Sequence, residues 1–153
     1  MSSNQATPAT RELMLFRCDG REFCLDIMQV RDIRGWTPAT PLPHAPDYMH
    51  GVINLRGQVL PIVDMSMRLG CARTEPTDKH VIIVAQTEDR IAGLLVEAVS
   101  DVMTVTPDQI QPTPDLASAL AKSYVQGVLA IEGRMICMLA LDQILPPRSE
   151  LAA

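Results

Sequence analysis

The chain has 153 residues, of which 47% are hydrophobic and 20% are charged, and its formal net charge is −5. A chain of this length can bury a substantial core, so the composition indicates a globular protein with one domain or two very small ones. The acidic balance disfavours nucleic acid and anionic membrane as main partners, because both require a basic surface. Since only 3% of the residues are aromatic, the core is predicted to be aliphatic.

The N-terminal segment through Glu12 is polar and contains no apolar stretch of the kind found in secretory signals. Nowhere does the chain approach the run of about 18 apolar residues that a membrane span requires. These features predict a cytoplasmic protein with no direct membrane insertion. We expect disordered tails at residues 1–11 and 148–153, and one folded domain at residues 12–147.

Four segments have the pattern of β-hairpins, in which two short apolar runs flank a turn. Glycine favours such turns because it adopts positive φ without a steric penalty. Short strands with regularly spaced turns favour a sandwich or small barrels. The predicted turns, in chain order, are Asp19-Gly20, Arg56-Gly57, Glu88-Asp89 and Glu132-Gly133.

Helical signals are weaker and limited to short segments. Asp64 is predicted to cap a turn through Met65–Leu69, and Asp142 to cap a turn that extends through Leu145. The segment Asp115–Lys122 follows Pro114 and is predicted to form about two helical turns.

An internal repeat divides the sequence. Residues 15–33 align without a gap on residues 84–102, and Leu25, Val30 and Ile33 then match Leu94, Val99 and Val102. A proline-rich connection follows each segment, and GVINLRG at Gly51 then matches GVLAIEG at Gly127. The repeat predicts two related β-units that pack together, with a groove at their junction as a natural binding place.

Arg56 stands out because it lies beside a glycine between two apolar runs. Most turn charges are solvated and have no further role. A rigid hairpin would nevertheless hold the guanidinium at a defined place, where it is suited to bidentate pairing with a partner carboxylate. Both interpretations remain open on the residues alone.

The segment Leu25–Trp36 carries apolar residues at every third position, namely Ile27, Val30 and Ile33. The simpler interpretation is a strand end followed by a helical turn, with all three side chains in the core. The alternative is that part of this face stays exposed as a docking patch.

No catalytic, metal or cofactor site is predicted. The aspartates Asp64, Asp101 and Asp142 lie where strands end, which favours capping over acid–base chemistry. The three histidines are scattered and suggest no metal site, and no phosphate-binding loop or nucleophile elbow is present. The methionines in apolar segments are assigned to core filling, and these are Met65, Met67, Met135 and Met138.

Four blocks of the sequence, RDIRGW, GVINLRGQVLPIVDM, VEAVSDV and GVLAIEGRMICML, resemble the CheW family of bacterial chemotaxis adaptors. The blocks occur in the family order, and the resemblance extends from about Glu12 to Leu145. It implies an all-β fold of two packed five-stranded SH3-like β-barrels, either intertwined or side by side, with short helical turns.

The resemblance also implies a function without catalysis. Members of this family connect the cytoplasmic tip of chemoreceptors to the regulatory domain of the histidine kinase CheA, and they can form rings with other CheW copies. This chain would then be cytoplasmic and recruited to receptor arrays at the membrane. The kinase-contacting residues are not assigned.

Five positions match family positions associated with receptor binding, namely Arg56, Gly51, Val30, Ile33 and Val102. The expected geometry is an apolar groove that receives one helix of the receptor tip, with Arg56 at its rim pairing with a carboxylate. Replacing Arg56 is expected to weaken receptor binding and to leave the fold intact.

Three alternatives remain. An adaptor of a non-chemotaxis pathway, such as twitching motility, surface sensing or development, would have the same sequence features. A nucleic-acid-binding barrel is disfavoured by the acidic balance and the few aromatic residues. A small hydrolase using one of the aspartates is disfavoured because none has a convincing partner group.

Overall fold

A computed structural model describes residues 10–113 and 123–146. The predicted helical segment Asp115–Lys122 and nearly all of the two predicted tails lie outside these ranges. The first strand begins at Arg11, one residue before the predicted domain boundary. Within the described ranges, no helix has both the length and the apolar character needed to cross a membrane.

The elements follow the predicted repeat. The first repeat contains β1 (Arg11–Cys18), β2 (Arg21–Asp26), β3 (Val30–Gly35), β4 (Met49–Leu55), β5 (Gln58–Asp64) and α1 (Met65–Arg68). The second contains β6 (Val81–Gln86), β7 (Ile91–Val96), β8 (Ala98–Val105), β9 (Ile110–Gln111), β10 (Val125–Ile131), β11 (Arg134–Leu139) and α2 (Leu141–Ile144). Single 3₁₀ turns at Ile27–Gln29 and Pro107–Gln109 precede β3 and β9.

The strands form two sheets, which we call barrel A and barrel B. Barrel A has the strand order β8-β1-β2-β11-β10-β9, and barrel B has the order β3-β6-β7-β5-β4. In barrel B, Thr40 lies beyond β3 and pairs with Val52 at the far edge, and β9 pairs with β10 in the same way in barrel A. These pairings curl each sheet into a small barrel, so the predicted all-β class with two barrels is confirmed.

The two repeats are not the two barrels. Each repeat gives its first hairpin to one barrel, and its third strand and second hairpin to the other. The junctions are the parallel pairs β2–β11 and β5–β7. The repeats are therefore intertwined. The repeat alone suggested one unit for each sequence half, which is wrong, whereas the family resemblance left intertwined and side-by-side barrels open.

The register of the strands confirms the repeat. Ile33 pairs with Ile83, and Val102 pairs with Met14, which are matching pairs at an offset of 69 residues. In the second hairpins, Gly51 pairs with Ile62 and Gly127 with Met138, at an offset of 76 residues. A β-bulge recurs at the corresponding place in each pairing.

Three predicted hairpin turns have positive φ at both central residues, as tight hairpins of the right twist require. The φ values are 55° and 74° at Asp19-Gly20, 53° and 84° at Arg56-Gly57, and 52° and 76° at Glu132-Gly133. The predicted fourth turn, at Glu88-Asp89, lies in the short loop between β6 and β7.

The core has three parts because the central strands are buried on both faces. Alternate residues of β1 face opposite ways, with Leu13 and Leu15 inside barrel A and Met14 and Phe16 between the barrels. Barrel B has its own interior cluster, which includes Leu60 and the side chains opposite it on β6 and β7. This arrangement explains why the strands are near-continuous apolar runs.

The four cysteines are free thiols. Burial raises the pKa of Cys18 and of Cys24 to about 12. Both side chains therefore remain protonated and pack as small apolar groups.

The two helix caps were predicted with mixed success. Asp64 caps α1 as predicted, since its side chain accepts hydrogen bonds from the backbone N–H groups of Ser66 and Met67. The prediction for Asp142 is wrong, because Ala140 is the N-cap of α2 and Asp142 lies in its first turn. At the repeat offset of 76 residues, the counterpart of Asp64 is Ala140. The core assignment of Met135 is also wrong, since its exposed fraction is 61%.

Candidate functional site

Arg56 lies at the tip of the β4–β5 hairpin and is exposed. The side chain of Asn54 accepts a hydrogen bond of 2.8 Å from the backbone N–H of Gly57, and this bond fixes the turn. Within the described residues, the Arg56 guanidinium has no hydrogen-bond or ion-pair partner. A rigid turn thus presents an unpaired cation to solvent.

A cleft beside this turn, which we call the Arg56 cleft, is lined by β3, the β4–β5 turn and the β6–β7 hairpin. Its other charged residues are already engaged. Arg31 donates a hydrogen bond to the side chain of Gln86, and Asp32 pairs with Arg34 at 3.5 Å. Arg56 is therefore the charged residue of this lining that has no partner among the described residues, and its guanidinium is suited to a carboxylate ligand.

Gly51 is buried and has a structural role. Its φ is +144°, and a Cβ placed there would lie 2.3 Å from the carbonyl oxygen of Thr40. Thr40 and Val52 exchange backbone hydrogen bonds of 2.8 and 2.9 Å, which close barrel B. Gly51 therefore permits the closure that positions the Arg56 hairpin.

Val30 and Ile33 lie on β3, the edge strand of barrel B that also supplies Arg31 and Asp32 to the Arg56 cleft. Val30 is partly buried against the core between the barrels. Ile33 has an exposed fraction of 47%, so the interpretation that placed it in the core is wrong. Ile27, the first apolar residue of the series, is partly exposed in the 3₁₀ turn.

Val102 occupies the position on β8 that is equivalent to Ile33 on β3, and its exposed fraction is 46%. The local backbone also matches, because Asp101 and Asp32 each accept a hydrogen bond from the next residue's N–H, at 2.8 and 2.9 Å. The predicted set is thus divided between the barrels. Val30, Ile33, Gly51 and Arg56 belong to barrel B, and Val102 belongs to barrel A.

A buried polar network at the end of β5 was not predicted. The fully buried Asp64 carboxylate accepts hydrogen bonds from His50 Nε2 at 2.8 Å and from the Thr74 backbone N–H and hydroxyl, each at 2.8 Å. Arg73 donates to His50 Nδ1 at 3.1 Å. Since arginine can only donate, Nδ1 accepts this bond, and Nε2 is the nitrogen that donates to Asp64.

This network is built for stability. The two helix-cap bonds from Ser66 and Met67 bring the bonds to Asp64 to five, which occupy the lone pairs of the carboxylate. With no exposed surface, the group is out of reach of a substrate. Counting back from the Arg56-Gly57 turn places His50 across the hairpin from the end of β5, so the hairpin register was the signal that could have revealed the pair.

The described ranges contain no group of three or more histidine, cysteine, aspartate or glutamate side chains placed to hold a metal ion. The candidate site is formed by the Arg56 cleft and the apolar edge of β3.

Two known proteins are similar in sequence to nearly the whole of this chain. The chain is 59% identical over 152 residues to the chemotaxis protein CheW of Rhizobium meliloti, an alignment that covers 99% of this chain and 98% of that protein. It is 57% identical over 134 residues to a probable chemotaxis protein CheW of Rhizobium etli, covering 88% of this chain and 86% of that one.

A solved structure has the same fold. The crystal structure of the scaffolding protein TtCheW from Thermoanaerobacter tengcongensis superposes with a TM-score of 0.78 and 26% identity, over 88% of this chain and 90% of that one. The model of the CheW-like domain family matches residues 12–148. With the intertwined barrels and these matches together, the chain belongs to the CheW-like domain family.

Proposed function

We propose that this protein is a non-catalytic adaptor that couples the cytoplasmic tips of chemoreceptors to the regulatory domain of a CheA-type histidine kinase. Family membership and the names of its relatives, two of them chemotaxis proteins, support this proposal. The high identity to chemotaxis proteins favours that role over an adaptor of another signalling pathway. Location in the cytoplasm at receptor arrays, and association with other copies in rings, belong to the same proposal.

The observation that carries the proposal is the unpaired Arg56 guanidinium beside a partly exposed apolar strand. A receptor tip is a helical hairpin, so one of its helices would pack its apolar stripe against Val30 and Ile33 on β3. Arg56 would fix the orientation of that helix through a carboxylate. Gly51 acts indirectly by shaping the hairpin, and Val102 offers an equivalent apolar contact on barrel A.

The absence of catalysis is supported by the surroundings of Asp64. Its carboxylate is fully buried and accepts five hydrogen bonds, so it has neither the access nor the free lone pairs that an acid–base group needs.

The proposal is tested by measuring the binding of two labelled fragments, a receptor tip and a CheA-type regulatory domain from the same organism. The variants are Arg56→Ala and the matched control Glu132→Ala, which removes a charge from the equivalent turn of barrel A. We expect Arg56→Ala to weaken receptor binding by about 10-fold, the loss typical of one charge-assisted contact. Kinase binding and the unfolding midpoint should be unchanged.

Equal receptor binding by wild type and Arg56→Ala would remove Arg56 from the site. Failure of the folded wild type to bind either fragment would refute the adaptor function itself.

A further inference from the structure

The two short helices end differently, and this difference decides whether a neighbouring cleft is filled. After α2, Leu145 is extended, with φ −64° and ψ 142°, and the chain continues into Pro146. After α1, Gly70 has a φ of +88°, which turns the chain away. Leu69 and Leu145 are equivalent positions of the repeat.

In barrel B the chain fills the cleft next to the β6–β7 hairpin. The guanidinium of Arg90 donates to the backbone carbonyls of Asp142 at 3.0 Å, Leu145 at 3.2 Å and Pro146 at 3.4 Å. Leu145 is buried in the core between the barrels. An arginine and an apolar pocket thus hold an extended piece of backbone.

In barrel A the equivalent backbone is absent because α1 ends in a Schellman motif. The N–H of Cys71 donates to Ser66 O at 2.8 Å, and the N–H of Gly70 donates to Met67 O at 3.0 Å. Ser66 is the counterpart of Asp142, so the carbonyl that would accept from an arginine is already occupied. A hydrogen bond from the Cys71 thiol to Asp19 raises the pKa of that thiol and ties the diverted chain to the β1–β2 turn.

Arg21 is the counterpart of Arg90, and in the described part of the chain it has no hydrogen-bond or ion-pair partner. It opens onto a cleft, which we call the Arg21 cleft, whose main lining residues are Arg17, Arg21, Phe23, Leu69, Tyr124 and Met135.

Charge distinguishes the Arg21 cleft from its filled counterpart. Arg17 stands where barrel B has Gln86, so the open cleft carries one more positive charge. Glu22, the acid in the lining, is paired with Arg134. Backbone carbonyls satisfy Arg90 in barrel B, whereas the two cations Arg17 and Arg21 favour a ligand that also brings negative charge.

We propose that the Arg21 cleft binds an extended acidic peptide segment of a partner protein. An apolar side chain of that segment would pack on Phe23, Leu69 and Tyr124, as Leu145 packs in barrel B. Its backbone carbonyls and a flanking carboxylate would accept hydrogen bonds from Arg21 and Arg17. This surface is separate from the Arg56 cleft, and the proposal does not depend on the adaptor function.

The test uses the full-length protein and a fluorescein-labelled pentapeptide, Glu-Ile-Leu-Pro-Glu, whose central residues copy 144–146. Binding is measured by fluorescence anisotropy at physiological salt, and the site is located by amide chemical shifts. The variant is Arg21→Glu. The matched control is Lys79→Glu, which makes the same change of charge at an exposed loop position outside the cleft.

We expect saturable binding of the acidic peptide, with shifts concentrated at Gly20, Tyr124 and Met135. Arg21→Glu should weaken binding by at least about 10-fold, Lys79→Glu should leave it unchanged, and the peptide Lys-Ile-Leu-Pro-Lys should not bind.

Three outcomes would overturn the proposal. These are no binding of the acidic peptide at about 1 mM, equal binding by wild type and Arg21→Glu, or equal weakening by Arg21→Glu and Lys79→Glu. Circular dichroism of both variants establishes that they are folded. Because no receptor or kinase fragment is used, the result is independent of the test of Arg56.

Discussion

Asp64 in barrel B and Ala140 in barrel A occupy the same place in the repeat, where the last strand of each repeat leads into a short helix. Asp64 accepts five hydrogen bonds there, and Ala140 has no side-chain cap. The hairpin tips differ similarly, with Arg56 in barrel B and Glu132 in barrel A at nearly identical φ. The repeat thus preserves backbone register, while the polar groups at equivalent places differ between the two barrels.

The largest effect that separates the barrels is expected at the paired glycines Gly51 and Gly127. Gly51→Ala should destabilise the protein by about 3 kcal/mol or more, because φ is positive and the new Cβ would meet the backbone of Thr40. Gly127→Ala should cost less, about 2 kcal/mol, because its φ is not positive and its closest contact is a side-chain methyl of Ile110 at 2.6 Å, with the Gln111 carbonyl oxygen next at 3.1 Å. Urea unfolding of both variants measures the difference.

Equal losses in the free energy of unfolding for Gly51→Ala and Gly127→Ala would show that the contact with Thr40 does not determine the role of Gly51.

A smaller effect is expected at the helix caps. Asp64→Ala should lower the free energy of unfolding by about 2 kcal/mol, because it leaves buried donors of His50 and Thr74 without their acceptor. Ala140→Asp should raise it by about 0.5 kcal/mol, because it supplies a missing N-cap. Thermal and urea unfolding provide the measurement.

If Asp64→Ala were as stable as wild type, the buried network would have no structural role, and a function for the carboxylate would have to be considered again.

The smallest effect is expected from the surface pair Glu22–Arg134, whose counterparts in barrel B are Ile91 and Gln58. The hydrogen bond from Arg134, followed by its charge, lowers the pKa of Glu22. A lowered carboxyl pKa contributes stability above the unfolded value, and that contribution is lost as the pH falls through the folded value. Glu22→Gln should therefore be slightly less stable than wild type at neutral pH.

The measurement is the urea midpoint of wild type and Glu22→Gln in a pH series. The two midpoints should converge as the pH falls below the range where a glutamate ionises, about pH 4. A difference that persists at low pH would assign the effect to packing.

Local patterns were sufficient to predict much of the fold. Tight turns were predicted at three pairs that end in glycine, because such turns require positive φ and glycine adopts it easily. The structure has positive φ at both residues of each pair, namely Asp19-Gly20, Arg56-Gly57 and Glu132-Gly133. The offsets of 69 and 76 residues, read from apolar matches, recur as hydrogen-bonded registers. The register of paired strands follows from the alternation of side chains between the two faces of each strand, and this alternation can be read from the sequence.

The pairing of strands that are distant in the chain was harder to predict from the sequence. The parallel contact of β2 with β11 joins segments more than a hundred residues apart, and nothing in either segment specifies the other. The exchange of hairpins therefore could not be chosen over side-by-side barrels from the sequence. The exposure of Ile33 could not be decided either, since a strand buried on both faces and an edge strand share one apolar pattern.

Only part of the candidate site could be predicted from the sequence. Arg56 could be singled out because a charge beside a glycine interrupts apolar runs. That it lacks a partner depends on Arg31, Asp32 and Arg34 being engaged elsewhere, which only three-dimensional contacts reveal. The Arg21 cleft depends on a single glycine after α1, whose effect is visible only by comparison with α2.

The exchange of hairpins also sets an order of assembly during synthesis. Barrel B is formed by a continuous stretch from Val30 to Val96, so it can close soon after that stretch leaves the ribosome. The β1–β2 hairpin precedes barrel B in the chain, but it must wait for β8 and β11 before its edges are paired. A segment translated before barrel B thus reaches its final neighbours after it, and the two apolar faces of the hairpin lack their final cover during that interval.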